Sequence, residues 1–488
     1  MNAKARKTNT RGVLGALCAM LLGATAIACG GGAEGKGPQT PQGGSKGGGP
    51  SQAVEVNKEA QSKFFAAIDV FHGHDKASNW NEAACQETAG LFKAAAAEQK
   101  GGKFPEATFN AGLAWQRCGN DKEAKALFEK TLSEDPKFHH ARVQLALYQY
   151  KADGNEDAAI SALQQSVLDS QFENIPALVN LAMFQMQRDS AAAGDGCKND
   201  MDCAKMNIQR ALAKDDAYMP AFNQLALYYF QQAKKRAGSV KVSSGKGRGR
   251  TIATNSALAK RADVQQLELA ALVCSQAVRK NPSYAPIHNT AGLIQNELGQ
   301  VNGAVAEFNT AAKLDPKFFE AQMNYAFVNL SFRGFEQAQA ALRRALDMRP
   351  NDYDAHLGMA LALRGLITDA NYDAQVNAVQ AELDAAKKLD PSRPDAYYNE
   401  GILTHEYKAK GGGGKDKTMA ALNQAKSIYS EFVVKATGRT EYDGAVKRAK
   451  ERMQDIDDTL AFLSTSPDAS QPGAAPAGAP GAAEAPKK

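Results

Sequence analysis

Between residues 53 and 463 the apolar positions recur at helical spacing. In the stretch 321–350, Ala338, Leu342 and Ala345 fall at i, i+4 and i+7, which is one face of a helix. Ala326 sits in the preceding helix where a close neighbour requires a small residue, and Gly334 breaks the chain between the two. The stretch 105–136 follows the same plan with Gly112, Trp115, Gly119, Ala124, Phe128 and Pro136. Small residues let paired helices approach, and the larger ones fill the gap to the next pair. Pro282, Pro316 and Pro350 lie 34 residues apart, closing Lys-Asn-Pro, Leu-Asp-Pro and Met-Arg-Pro. A fixed period of that size describes one helix-turn-helix unit stacked on the next.

Extending the period predicts units at 105–138, 139–174, 175–218, 219–284, 285–318, 319–352, 353–393 and 394–432. An irregular helical pair at about 53–100 precedes them, and an amphipathic helix at 442–463 caps the last face. The expected fold is an all-α helix-turn-helix superhelical solenoid, either one continuous right-handed stack or two. Two units are interrupted between their helices, at 189–201 and 237–262. The second interruption carries Lys241, Lys246, Arg248 and Arg250 among Gly and Ser, a basic loop suited to an anionic polymer or an acidic partner segment. Its Gly-Lys-Gly-Arg-Gly-Arg run lacks the Gly-x-x-x-x-Gly-Lys order of a phosphate loop.

These residues and their spacing resemble the tetratricopeptide-repeat (TPR) superfamily, most specifically at 105–138 and 285–352. The resemblance implies a binding scaffold whose concave side is lined by the first helix of each pair. The lining residues stand three before and one after the small position. Here the first set reads Phe109, Val143, Val179, Asn223, Asn289, Met323, Leu357 and Tyr398. The second reads Leu113, Leu147, Met183, Leu227, Leu293, Phe327, Leu361 and Ile402, apolar throughout. TPR domains that clamp a carboxylate place Lys and Asn at these two positions, so clamp binding is disfavoured. An apolar stripe suits an amphipathic helix or an extended hydrophobic segment of a partner, or else it packs within the solenoid.

The first 28 residues have a different pattern. Lys4, Arg6, Lys7 and Arg11 precede an apolar run from Val13 to Ile27, which is shorter than the roughly 20 residues a bilayer span needs. Ala26-Ile27-Ala28-Cys29 ends it with small residues before a cysteine, which resembles a bacterial lipoprotein signal. That resemblance implies cleavage before Cys29, lipidation of its thiol and anchoring by more than one acyl chain. Gly30 in place of Asp favours the periplasmic face of the outer membrane. The expected organisation is a signal at 1–28, a tether at 29–52, a helical pair at 53–104, a solenoid with its cap at 105–463, and a Pro/Ala tail at 464–488. A flexible tether of about 20 residues reaches about 25 Å. Subtracting the leader's four cations from the formal +5 leaves about +1, so nucleic-acid binding loses its main electrostatic support.

Five cysteines remain beyond Cys18 and Cys29. In an oxidising compartment Cys197 and Cys203 are close enough to staple the first interruption. Cys85, near the start of one helix, and Cys118, at the end of its antiparallel neighbour, can meet as a second bridge. Cys274 occupies a core position. Neither Cys197 with Cys203 nor His72-Gly-His74-Asp75 makes a convincing metal set. No nucleophile elbow, zinc-protease motif or cofactor motif is present, so the expectation is a non-enzymatic scaffold with no cofactor, metal or small-molecule substrate. The signal, tether, alanine-rich repeats and Pro/Ala tail together resemble the TPR lipoproteins of myxobacterial gliding motility. That likeness implies envelope-protein partners within a trans-envelope machinery. An assembly factor for an outer-membrane pore or pilus, and a recruiter of cell-wall enzymes, are the other readings.

Overall fold

The computed structural model describes residues 56–465 apart from 78, 193–195, 240–251 and 412–413. The leader, Cys29, the tether, the tail and the basic-loop residues Lys241, Lys246, Arg248 and Arg250 lie outside the described residues. Among the described residues there are nineteen α-helices and no strand. They form consecutive antiparallel pairs: α1 (Lys58–Ala77) with α2 (Glu82–Glu98), α3 (Pro105–Arg117) with α4 (Asp121–Glu134), and α5 (His139–Asp153) with α6 (Glu156–Asp169). Then follow α7 (Ile175–Arg188) with α8 (Asp200–Lys214), α9 (Met219–Ser239) with α10 (Ile252–Lys280), and α11 (Ala285–Glu297) with α12 (Val301–Leu314). The remaining helices are α13 (Phe319–Ser331), α14 (Phe335–Met348), α15 (Tyr353–Gly365), α16 (Tyr372–Leu389), α17 (Asp395–Leu403), α18 (Lys415–Ala436) and the cap α19 (Asp443–Thr465). Helices α9 and α10 run further into the second interruption than expected, because Ala- and Leu-rich sequence on its far side continues the helix from Ile252.

Local chemistry explains where the helices begin and end. Asn81, Asn120, Asn155, Asn174, Asn199 and Asp352 each accept a backbone N–H of the first turn through their side chains. Between units an aspartate recurs: Asp135, Asp215, Asp315 and Asp390 each accept the N–H two residues on, folding the closing turn. Inside a pair, a glycine on the first helix admits an aromatic ring from the second. A Cβ at Gly112 would stand 2.7 Å from the Phe128 ring, and one at Gly292 would stand 2.6 Å from that of Phe308.

The chain divides into two compact units, residues 1–321 and 322–488. In the first, Phe64, Phe71, Phe92, Phe104, Phe109 and Phe128 join the leading helical pair to the first repeat in one core. In the second, Tyr429 and Phe432 of α18 are fully buried, against α17 on one side and Ala449 and Ile456 of α19 on the other. The last two lie seven residues apart on the buried face of α19, leaving its outer face polar as a cap requires.

A candidate docking cleft in the second unit

The apolar stripe behaves differently in the two units. In the first, Phe109, Leu113, Leu147, Met183 and Leu227 are core side chains, all at most 4% exposed. The expectation of a partner-facing groove does not hold for these five. Phe109 packs between Phe128 and Phe138, with ring centroids 5.3 and 5.2 Å away. Leu147 and Met183 join the cluster around Leu163 and Phe184, and Leu227 joins Met186 and Ile208. Leu293 is partly exposed.

In the second unit Met323 and Leu357 are buried, but Phe327 is 37% exposed, and Leu361, Tyr398 and Ile402 are each partly open. Tyr398 leans on Phe432, centroid to centroid 5.0 Å. Beside this strip lies a cleft of about 450 Å³ lined by Arg333, Phe335, Leu361, Arg364, Gly365, Ile367 and Tyr407. One wall is fixed by Gly365 at the end of α15, where a Cβ would sit 2.4 Å from the Phe335 ring. Another comes from a π-turn, Thr404–Lys408, which continues α17 and presents Tyr407. Such turns widen a helix locally and recur at functional positions. Tyr372 Oη donates to the Tyr407 carbonyl (2.8 Å), and Lys408 Nζ to Gln380 Oε1 (2.7 Å). Gln380 and Lys387 in turn hold the two oxygens of Glu400, each at 2.8 Å.

Charge in the cleft is unevenly matched. Glu406 pairs with Arg452 of α19. Arg364 donates to the neutral Asn399 Oδ1 at 3.0 Å. Burial pushes its guanidinium below the usual arginine range, against the weaker opposing pull of Tyr407 and Glu406. The arrangement brings two cationic groups together with aromatic and aliphatic side chains in a cleft whose exposed lining is mostly polar.

No protein-family model matches the chain, and no curated protein matches it. Among solved structures it is similar to TTC0263, a thermophilic TPR protein of Thermus thermophilus, with 24% identity over 46% of this chain and 99% of that one, at a TM-score of 0.36. It is also similar to an IFIT1 monomeric mutant with Gppp-AAAA, with 16% identity over 83% of this chain and 82% of that one, at a TM-score of 0.48. A third is pilF of Pseudomonas aeruginosa, with 14% identity over 58% of this chain and 97% of that one, at a TM-score of 0.35. The likeness is one of fold. The TPR-like assignment rests on the chain's own paired helices and on its glycine-aromatic contacts.

The other expected residues are placed as follows. Cys85 is bonded to Cys118, with Cα atoms 6.4 Å apart, and Cys197 to Cys203, with Cα atoms 5.2 Å apart. Cys274 is buried, and burial pushes its thiol up to about 12. In the stretch His72-Gly-His74-Asp75, His74 bonds Asn79 at 2.8 Å, while Asp75 accepts from Trp80 Nε1 at 2.7 Å and pairs with Arg117. These contacts tie α1 to the connection that precedes α2 and to α3. Among the described residues no cluster of three or more His, Cys, Asp or Glu could hold a metal, and no helix is long and apolar enough to cross a membrane. Sequence reasoning missed Arg333, Phe335, Arg364, Ile367 and Tyr407. They lie outside the two register positions of the stripe, and only the helix ends bring them together.

Proposed function

We propose that this chain is a non-enzymatic protein-interaction scaffold, anchored through lipid on Cys29 at the periplasmic face of an outer membrane. In this reading it is a structural link in a gliding-motility or other trans-envelope machinery. Its layout resembles that of the adventurous gliding-motility TPR lipoprotein GltE. The signal-like Ala26-Ile27-Ala28-Cys29, the glycine-rich tether and the disulfide pairs support an exported, tethered body. The observation that carries the scaffold reading is the contrast between stripes: the first unit buries most of its own, whereas the second leaves Phe327, Leu361 and Ile402 open beside a cleft. Uncovered apolar surface next to a pocket suits a partner segment.

A photoreactive group at Phe327 or Leu361, activated in intact cells, should trap one and the same envelope protein, and a group at the buried Leu113 should trap none. Capture at Arg248 with nothing at Phe327 or Leu361 would move docking to the basic loop and overturn the assignment of this cleft. Anchoring is tested separately. Cys29→Ala should abolish palmitate labelling and release the chain from the membrane fraction, whereas undiminished retention would show that partners hold it.

A further inference from the structure

The turn that feeds the cleft carries a residue where the fold calls for glycine. Gly119 between α3 and α4 has φ +71°, and Gly299 between α11 and α12 has φ +74°. Each stands seven residues after the small residue of its first helix, Gly112 and Gly292. Seven residues after Ala182 the place is held by Asp189, at φ +50°, a residue type that tolerates this region, and seven after Ala326 it is held by Arg333, at φ +63°, which lacks that tolerance. A left-handed backbone costs a non-glycine residue roughly 1–2 kcal/mol. Gly334 follows immediately, yet it lies at φ −77° and leaves the strained position to the arginine. Strain held at a cleft points to a use for the side chain that bears it.

Arg333 lines the cleft together with Arg364. Among the described residues, neither guanidinium is ion-paired with a carboxylate. Arg364 has its bond to Asn399, and the nearby Glu406 is committed to Arg452. Arg364 is partly withdrawn from solvent with only a neutral amide as its partner, which is unfavourable until an anion arrives, and Arg333 brings a second, exposed cation to the same cleft. Phe335, Leu361 and Ile367 line the same 450 Å³ space, which is large enough for side chains to enter.

We propose that Arg333 and Arg364 receive the carboxylate of an Asp or Glu in a protein partner, with a neighbouring Leu, Ile or Phe of that partner packed against Phe335, Leu361 and Ile367. This rests on the reading of the cleft as a docking surface and names what docks there. Phe335, Leu361 and Ile367 give an apolar side chain a place beside the two cations, which a free anion would leave unused, and the planar guanidinium forks match a carboxylate. Arg333 and Arg364 stand seven and four residues after the small positions, not at the two positions of a Lys/Asn clamp.

The test is selection of a displayed library of random linear peptides on the full chain. Retained peptides should be enriched in Asp or Glu beside Leu, Ile or Phe. A synthetic copy of the best peptide should lose at least about tenfold in affinity to Arg333→Gly, and a similar factor when its acids are changed to Asn or Gln. Arg333→Gly should melt no lower than the parent, since glycine relieves the left-handed backbone, so lost binding cannot be ascribed to lost folding. Binding that ignores Arg333→Gly or the acid-to-amide exchange would overturn the carboxylate assignment while leaving an apolar docking surface. Displacement by inorganic phosphate as effective as by the peptide would overturn it in favour of a general anion site. Failure to retain any peptide whose binding falls with Leu361→Ser would bring down the docking reading itself.

Discussion

The two units use the same register position for opposite ends. One residue after the small position, the first unit places Leu113, Leu147, Met183 and Leu227 in its core and leaves only Leu293 of this set partly exposed, whereas the second exposes Phe327 and leaves Leu361 and Ile402 partly open. Composition does not separate the two sets, since both are apolar. What differs is how far each side chain is covered: the first unit's four are at most 4% exposed, whereas Phe327 is 37% exposed. An aliphatic stripe on a repeat protein is therefore structural or functional according to packing between pairs.

The largest test of that contrast is truncation. Phe128 is fully buried between Phe109 and the backbone of Gly112. Phe128→Ala should cost about 3–5 kcal/mol of the first unit's stability, from lost burial plus the cavity left behind. Phe327→Ala, at a site 37% exposed, should cost the second unit's stability clearly less, about 1–2 kcal/mol, while weakening partner capture. Denaturant unfolding followed by hydrogen exchange in each unit compares the two. A Phe327 variant that unfolds its unit would make this residue core and erase the difference.

An intermediate effect is expected where a pair closes too tightly for any side chain. Gly292→Ala places a Cβ 2.6 Å from the Phe308 ring, so ring or helix must shift, at about 1–3 kcal/mol. The double variant Gly292→Ala with Phe308→Leu should recover part of that loss, because the smaller branched side chain yields space. No recovery would mean that helix backbones, not the ring, set the spacing.

Much of this fold was legible in the chain, and the reasons are local. The 34-residue proline period and the recurring small positions such as Gly112 and Ala326 act over a few residues or between adjacent helices, where spacing in sequence fixes spacing in space. The pairing of Cys85 with Cys118 followed from the same antiparallel geometry. The cleft was not legible. Arg333 reads as an ordinary turn residue beside Gly334, and Arg364 as a helix-end cation, until the π-turn at Thr404–Lys408 brings Tyr407 to meet them. Nor could the stripe's exposure be read, since it depends on how tightly one pair settles on the next.

The smallest effect concerns a histidine staple that both units carry in the same form. His288 Nδ1 lies 2.7 Å from Glu307 Oε2 and its Nε2 lies 2.9 Å from the Pro282 carbonyl. In the second unit His356 meets Glu382 at 2.6 Å and the Pro350 carbonyl at 2.9 Å. Carboxylate and carbonyl oxygens accept, so at His288 this pair of partners favours the form that donates from both ring nitrogens. For His288 the hydrogen bond to Glu307, helped by that to Pro282, holds the imidazole above its ordinary 6.5 against the opposing effect of burial. A folded-state value raised above the unfolded one adds stability that is fully present below about pH 6.5 and is lost as pH rises through the folded value. Protection of α11 and α12 against hydrogen exchange, corrected for intrinsic rate, should therefore weaken as pH rises above about 6.5, and His288→Gln should flatten that slope. A slope that survives the substitution would assign the pH response to another group and leave the staple as packing alone.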